Sequence, residues 1–357
     1  MTPLNFITRA QVRDWLAALM AGRTLVAPRR VAEDLVLYAP VTSPDAIAFD
    51  FTRTAISPKE FFLPASEAIL TVERTRQSLA GEDGSGPTWD VKLSEPELAR
   101  DQVLFGIHPC DARALLALDA LLLAEPVDAY YARRRERTSL IGLACEQMGP
   151  TCFCTSLGFS PDDGQGLDIM LYPAEGGYAL EVLTEKGGTL AAGLKLAPFA
   201  GQGEHKIHKA WPPAELPVAP RQAWARLFDD SYWSRLADRC LSCKLCAYVC
   251  PTCRCFDVRD YTVAQGPGRQ RIERLRCWDS CLAAGYRRIA GGHNPRPTKA
   301  QRLRNRFYCK FDYYPADFGP LGCVGCGRCI DHCPVSVDIT EVLQAVAAGQ
   351  EAEYKHD

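Results

Sequence analysis

The sequence has little that could cross or bind a bilayer. Its longest apolar stretches, such as Ala114–Ala124, are interrupted or far too short to span one. Its first residues, Met1-Thr-Pro-Leu-Asn-Phe-Ile-Thr-Arg-Ala, lack a basic segment followed by an apolar one, so no secretory signal is expected. Net charge is almost absent: the formal value of −2 gives no bulk attraction to nucleic acid or to a membrane surface. No G-x-G-x-x-G follows a strand pattern and no P-loop is present, which leaves no visible nucleotide cradle. Paired C-x2-C motifs at the two ends of the chain, as a nickel–iron site needs, are also missing. Histidines number 6 and are scattered, and His332 stands among thiols that already suffice as ligands.

Cysteine is what the chain has in excess, with 17 among 357 residues. Without a signal segment, thiols in metal-like spacings point to a reducing, cytoplasmic setting rather than to disulfides. Two stretches carry the strongest pattern. Cys323-Val-Gly-Cys326-Gly-Arg-Cys329-Ile-Asp-His-Cys333-Pro334 reads C-x2-C-x2-C-x3-C-P, and Cys240-Leu-Ser-Cys243-Lys-Leu-Cys246-Ala-Tyr-Val-Cys250-Pro251 repeats it. This is the bacterial ferredoxin run that holds cubane [4Fe–4S] clusters. A single run could be a structural zinc site; two complete ones predict two clusters. In such a pair the fourth cysteine ligates the other cluster. Cys240, Cys243, Cys246 and Cys333 are therefore expected around one cubane, and Cys323, Cys326, Cys329 and Cys250 around the second. Neither run has a ligand gap, so each cluster is saturated and suited to electron transfer rather than substrate binding. Cys246, Cys250 and Cys253 also spell C-x3-C-x2-C, the radical S-adenosylmethionine spacing, but too little chain follows for the barrel such enzymes need.

Eight of the remaining nine cysteines fall into two further groups. Cys110 follows the strand pattern of residues 102–107, and Cys145 follows that of 139–144. An Ala/Leu-rich helix over 112–124 lies between them, making a βαβ unit with parallel neighbouring strands, and Asp111 stands where a helix cap is expected. The carboxyl ends of parallel strands are where open α/β sheets gather ligands, and Cys152-Phe-Cys154 comes round just after. Cys110, Cys145, Cys152 and Cys154 are thus candidates for a third cluster, with four buried core thiols as the alternative. Cys253, Cys255, Cys277 and Cys281 form a second loose quartet, in which Cys277 and Cys281 would share a helical face; packing against the clusters is the expected role, with a fourth centre as the alternative. Cys309 stands alone. Residues 265–310 carry twelve Arg or Lys against Glu273 and Asp279, a surplus that can offset the negative charge of thiolate-ligated clusters or dock an acidic partner. Arg133–Arg137 is expected to be a solvated face.

The expected fold class is α+β multidomain: an N-terminal α/β domain over 1–208, a Pro-rich linker over 209–221 and an α-helical ferredoxin-type dicluster domain over 222–357. Thr8-Arg-Ala-Gln11 is a capping box opening a helix whose inward face is Val12, Trp15, Leu16 and Leu19, with Gly22 its stop. Short strand-like runs follow at 35–38, 46–51 and 68–72, with a loop tip over 81–87; 168–171 and 178–183 read as a hairpin. The linker carries four prolines in Ala210–Pro220. Beyond it, Gln222–Arg239 and the segment opened by Asp338-Ile-Thr-Glu341 are helical patterns, and the charged tail 351–357 is expected to fray.

Several stretches together resemble a known family. Ser57-Pro-Lys-Glu-Phe-Phe-Leu-Pro64, Gly106-Ile-His-Pro-Cys-Asp111, Cys152-Phe-Cys154, Cys250-Pro-Thr-Cys-Arg-Cys-Phe-Asp257, Arg276-Cys-Trp-Asp-Ser-Cys281 and His293-Asn-Pro-Arg296 are similar to the beta subunits of soluble NAD(P)-linked nickel–iron hydrogenases, the sulfhydrogenases. They equally resemble the corresponding iron–sulfur subunit of anaerobic sulfite reductase. The resemblance implies a 4Fe-4S dicluster protein that passes electrons between a flavoprotein subunit handling NAD(P)H and a catalytic hydrogenase or sulfite reductase subunit. It implies no catalytic residue in this chain. The competing reading is an iron–sulfur oxidoreductase in its own right, with the α/β domain binding a flavin or substrate.

Overall fold

The computed structural model describes residues 4–77, 86–96, 101–199, 211 and 215–349. Its strands are β1 (Asn5–Thr8), β2 (Thr24–Ala32), β3 (Leu35–Val41), β4 (Ser66–Arg76), β5 (Trp89–Ser94), β6 (Gln102–Ile107), β7 (Thr138–Leu143), β8 (Ile169–Ala174), β9 (Gly177–Val182), β10 (Ala197–Pro198), β11 (Phe256–Gly266) and β12 (Arg269–Trp278). Eight of them form one sheet in the order β10-β1-β9-β8-β7-β6-β2-β3. Its middle, β2, β6, β7 and β8, is parallel; the strands beyond on either side are antiparallel.

Alternation along the central strands sends side chains to two cores. Val103, Phe105, Ile141 and Ile169 meet helix α1 (Arg9–Met20) on one face. Leu104, Leu140 and Met170 meet α2 (Pro109–Leu122) and α3 (Ala129–Arg137) on the other. Burial on both sides explains why β6 and β7 read as unbroken apolar runs. The capping box forms as the sequence reading expects: Thr8 and Gln11 satisfy each other's backbone N–H groups, and Val12, Trp15, Leu16 and Leu19 are buried. The short helix α4 (Glu185–Ala191) follows the hairpin of β8 and β9.

A third core belongs to the C-terminal helices. The expected helix over 222–239 is two, α5 (Arg221–Arg226) and α6 (Tyr232–Arg239). After the single turn α7 (Leu245–Tyr248) come α8 (Lys299–Tyr308), α9 (Tyr314–Phe318), α10 (Arg328–Asp331) and α11 (Ile339–Ala348). Trp224, Trp233, Phe307, Tyr308 and Val342 fill the space between them, with Phe153 and Leu157 reaching in from the N-terminal half. Asp338 caps α11 through the Thr340 N–H, and Gly349 ends it in the left-handed region at φ 62°.

The structure departs from the sequence reading in several further places. Residues 256–278 are not helical: β11 and β12 make a long hairpin, and β12 pairs with β4 to give a sheet ordered β11-β12-β4-β5. The C-terminal half is therefore not purely helical, and this sheet joins both halves of the chain. Residues 46–51 are irregular rather than a strand; Ile47 is buried there and Phe49 packs edge-on against Phe105. β1, β2, β5 and β10 form where no strand was expected. Asp111 does not cap α2, whose N-cap is His108; it turns to a partner from the other half. Of the expected loop tip, residues 81–85 lie outside the described residues, as do 200–210 and 212–214 of the linker region and the tail from 350. Among the described residues no helix is long and apolar enough to cross a membrane.

That partner of Asp111 is Arg328. Both guanidinium Nη atoms donate to the carboxylate, at 2.6 and 2.7 Å, while Nε donates to Thr54 O at 2.9 Å. Neither side chain has any solvent exposure. Removing one member of such a pair leaves a buried charge alone, so Asp111→Ala is expected to cost about 3–5 kcal/mol in denaturant unfolding. Asp45→Ala at the exposed Arg13–Asp45 pair should cost about 1 kcal/mol or less in the same assay.

Candidate metal centres

The two runs adopt one local backbone. Their third and fifth positions all lie in the left-handed region: Ser242 at φ 55° and Lys244 at 68°, Gly325 at 65° and Gly327 at 70°. These reversals turn successive thiols toward a common centre. Cys240, Cys243, Cys246 and Cys333 line one cavity between α6, α8 and the start of α11, and Cys329 lines it too. Backbone N–H groups already point at the sulfurs, Ser242 N to Cys240 Sγ at 3.3 Å and Val337 N to Cys333 Sγ at 3.1 Å. So Cys333, the last of its own run, sits with the first three of the other.

Cys250 does not line that cavity, and the charge on its sulfur bears on Cys323, Cys326 and Cys329 as well as on Cys246. Burial pushes the Cys323 thiol up to about 12 and the Cys326 thiol to about 11. Cys250 goes the other way, pulled below the ordinary range by a hydrogen bond from Cys253, against the effect of burial, with the Lys310 ammonium helping. Lys310 Nζ lies 3.1 Å from Cys250 Sγ, 3.1 Å from Thr252 Oγ1 and 2.9 Å from Gly322 O, and is 4% exposed.

Three other buried cations surround these thiols. Arg306 donates to Cys246 O; burial works against its charge, but the Cys246, Cys329, Cys253 and Cys250 sulfurs hold its pKa well above the usual value. Lys59 donates to Cys250 O at 2.9 Å and Cys253 O at 3.0 Å and stacks its charge over Trp278, with burial lowering its pKa. Arg328 sits between Cys326 and Cys329. A buried cation without an anion is costly, and burial disfavours the thiolate form of Cys246, Cys323, Cys326 and Cys329. Thiolate-ligated clusters supply the missing negative charge, so the donor set and its surroundings fit the group. Among the described residues no three Cys, His, Asp or Glu converge on a single ion; a cubane takes each thiolate on a separate iron.

The first-domain cysteines gather as the parallel strands require. Cys110 opens α2 after β6, and Cys145 follows β7, its sulfur 3.7 Å from His108 Nδ1. Burial raises both thiols, and after burial the strongest influences on Cys145 are Cys154 and Cys152. Cys154 is raised to about 11 by burial. This group abuts the second run. Phe153 N donates to Gly325 O at 2.8 Å, Cys152 Sγ donates to Cys326 O at 3.8 Å, and Cys110 packs against Cys326 and Val324. Arg53 holds the same seam, bonding Cys152, Thr151 and Asp331. Sequence reasoning reached Arg306 and Lys310 only as members of the basic surplus over 265–310, and it missed Lys59, Arg328 and Arg53. Lys59 at least lies in a family-like stretch, Ser57–Pro64; lone basic residues elsewhere carry no spacing signal.

Two comparisons with known proteins agree with this geometry. The 4Fe-4S dicluster domain family matches residues 239–337. Sulfhydrogenase 2 subunit beta of Pyrococcus furiosus is 33% identical over 321 residues, covering 87% of this chain and 88% of that protein. The chain belongs to the sulfhydrogenase beta-subunit family. It is thus a 4Fe-4S protein related along most of its length to one component of a hydrogenase. No solved structure matches it.

The family run also sets a packing limit that differs between the two copies. A Cβ on Gly325 would stand 2.5 Å from Cys154 Cα, in a backbone conformation that side chains disfavour, whereas Ser242 at the equivalent place already carries one. Gly325→Ala is expected to destabilise the chain by about 1–3 kcal/mol and to lower its iron content. Ser242→Gly should leave iron content, measured on anaerobically purified protein, unchanged.

Proposed function

We propose that the chain is an iron–sulfur electron-transfer subunit of a multi-subunit oxidoreductase. It relays electrons between a flavoprotein subunit that handles NAD(P)H and a catalytic subunit of hydrogenase or sulfite reductase type. In this reading Cys240, Cys243, Cys246 and Cys333 hold one [4Fe–4S] cluster, and Cys323, Cys326, Cys329 and Cys250 hold the second. Cys110, Cys145, Cys152 and Cys154 hold a third. Residues 1–208 form the α/β part with that third centre, 222–357 the dicluster part, and 209–221 the linker, in a cytoplasmic protein. Each cluster, when bound, accepts and gives up one electron.

The observation that carries this reading is continuity. Cys329 lines the cavity of the first centre, and Cys326 touches the Cys110 group, so the second centre adjoins a neighbour on each side. Complete ligation at each favours conduction over substrate chemistry. The buried cations Lys310, Arg306 and Arg328 stabilise added negative charge, which favours the reduced state. The relationship to a hydrogenase beta subunit supports partner subunits as donor and acceptor.

The alternative reading, an enzyme binding its own flavin or substrate, makes the opposite forecast for the lone chain. The full chain, purified without oxygen, is expected to release no flavin on denaturation. Its visible absorbance should bleach with dithionite but not with NADH or NADPH until a flavoprotein is added. Stoichiometric flavin, or bleaching by NAD(P)H alone, would overturn the relay reading.

A further inference from the structure

The loose quartet of Cys253, Cys255, Cys277 and Cys281 does not hold together in the structure. Cys277 lies on β12 and its sulfur faces Ser66 Oγ at 3.4 Å, away from the others. Cys309, the residue without an assigned role, takes its place at the end of α8. Cys253, Cys255, Cys281 and Cys309 line one cavity of about 500 Å³. We propose that these four cysteines hold an additional iron–sulfur cluster, connected to the second centre through Cys250.

The route to this arrangement is local chain geometry. Immediately after Cys250-Pro251, the chain places Cys253 and Cys255 on the cavity wall just before β11 begins. The hairpin returns through β12 to a tight turn that presents Cys281, held by Asp279 N donating to Cys255 O at 2.9 Å. The Cys255 and Cys281 thiols are hydrogen-bonded to each other, and Cys253 to Cys250. Arg254 Nη2 reaches Cys309 Sγ at 3.7 Å from the same loop.

Charge around the cavity calls for an anion. Arg254, Arg287, Arg296, Arg306 and Lys310 line it, and no Asp or Glu does among the described residues. Arg306 is 3% exposed, and its Nε has no hydrogen-bond partner. A cluster with four thiolates is negatively charged and answers that surplus. One zinc ion fits poorly, because no three of these sulfurs converge on a single ion. A Cys255–Cys281 disulfide would leave Cys253, Cys309 and the cations without a role. In use, one electron leaves the reduced second centre and reduces this one, with no bond broken and no proton required. The second centre thereby has a third neighbour, on its Cys250 side.

The connection rests on the relay reading, but the site can be tested apart from it. The full chain is made anaerobically as wild type, as the triple variant Cys255→Ser/Cys281→Ser/Cys309→Ser, and as Cys277→Ser. The triple variant is expected to lose about four irons and four sulfides per chain. The low-temperature EPR signals of the dicluster centres should be retained, and Cys277→Ser should lose nothing. Cys309→Ser alone guards against misfolding in the triple variant, and should alter one EPR signal and spare the rest. Unchanged iron in the triple variant, stoichiometric zinc in the wild type, or an unchanged spectrum in Cys309→Ser would overturn the proposal. A wild type lacking the dicluster iron itself would instead overturn the relay reading.

Discussion

The structure depends on buried positive charge placed among thiols. Arg328 stands between two cysteines of the second run and grips Asp111, which follows Cys110 in the other half of the chain. Its five donors and planar fork allow only a narrow range of positions, so the pair fixes the relative placement of the cysteine groups on either side. Lys310 bonds Cys250, Arg306 bonds Cys246 O, and Lys59 closes over Cys250 and Cys253 from the N-terminal half. Cations with so little access to water need anions. Among the described residues Asp111 is the carboxylate ion-paired with one of them, and thiolate and cluster answer much of the remaining charge. The fold in this sense leaves room for negative charge that arrives with iron and sulfide.

What the sequence made legible follows from range. The two runs, the capping box at Thr8, the β6–α2–β7 unit and α11 are set by contacts within a few residues or by strict spacing. The convergence of Cys110 with Cys145 could be read because parallel neighbours fix which strand ends meet. The β11–β12 hairpin could not: both strands are largely solvent-facing, so alternation is faint, and their sheet is completed by β4 from nearly two hundred residues earlier. Asp111 looked like a cap because a carboxylate at a helix start usually is one; its real partner lies far along the chain. Residues 46–51 had a strand's composition, but no free sheet edge receives them.

The candidate centres divide in the same way. The eight cysteines of the two complete runs were visible from their spacing. Cys309 was not, because its company comes from a loop and a turn distant in sequence and only the hairpin brings them to one wall. The same motifs that carry the family likeness turn out to be neighbours in space: Lys59 from the Ser57–Pro64 stretch lies over Trp278 from the Arg276–Cys281 stretch and binds the backbone at Cys250 and Cys253. Arg276 ties the same hairpin to Glu67 and Asp128. Short stretches scattered over the sequence thus describe one contiguous shell around the second centre.

In the proposed relay that centre is the node, with Cys329 toward the first cavity, Cys326 toward the Cys110 group and Cys250 toward the third wall. The most direct measurement is an anomalous difference map at the iron edge from a crystal of the full chain grown without oxygen. Crossed ligation predicts a cubane of iron density bonded to Cys323, Cys326, Cys329 and Cys250, and a separate one bonded to Cys240, Cys243, Cys246 and Cys333. Density joining Cys250 to the irons of Cys240, Cys243 and Cys246, or a lone metal atom at either run, would contradict it.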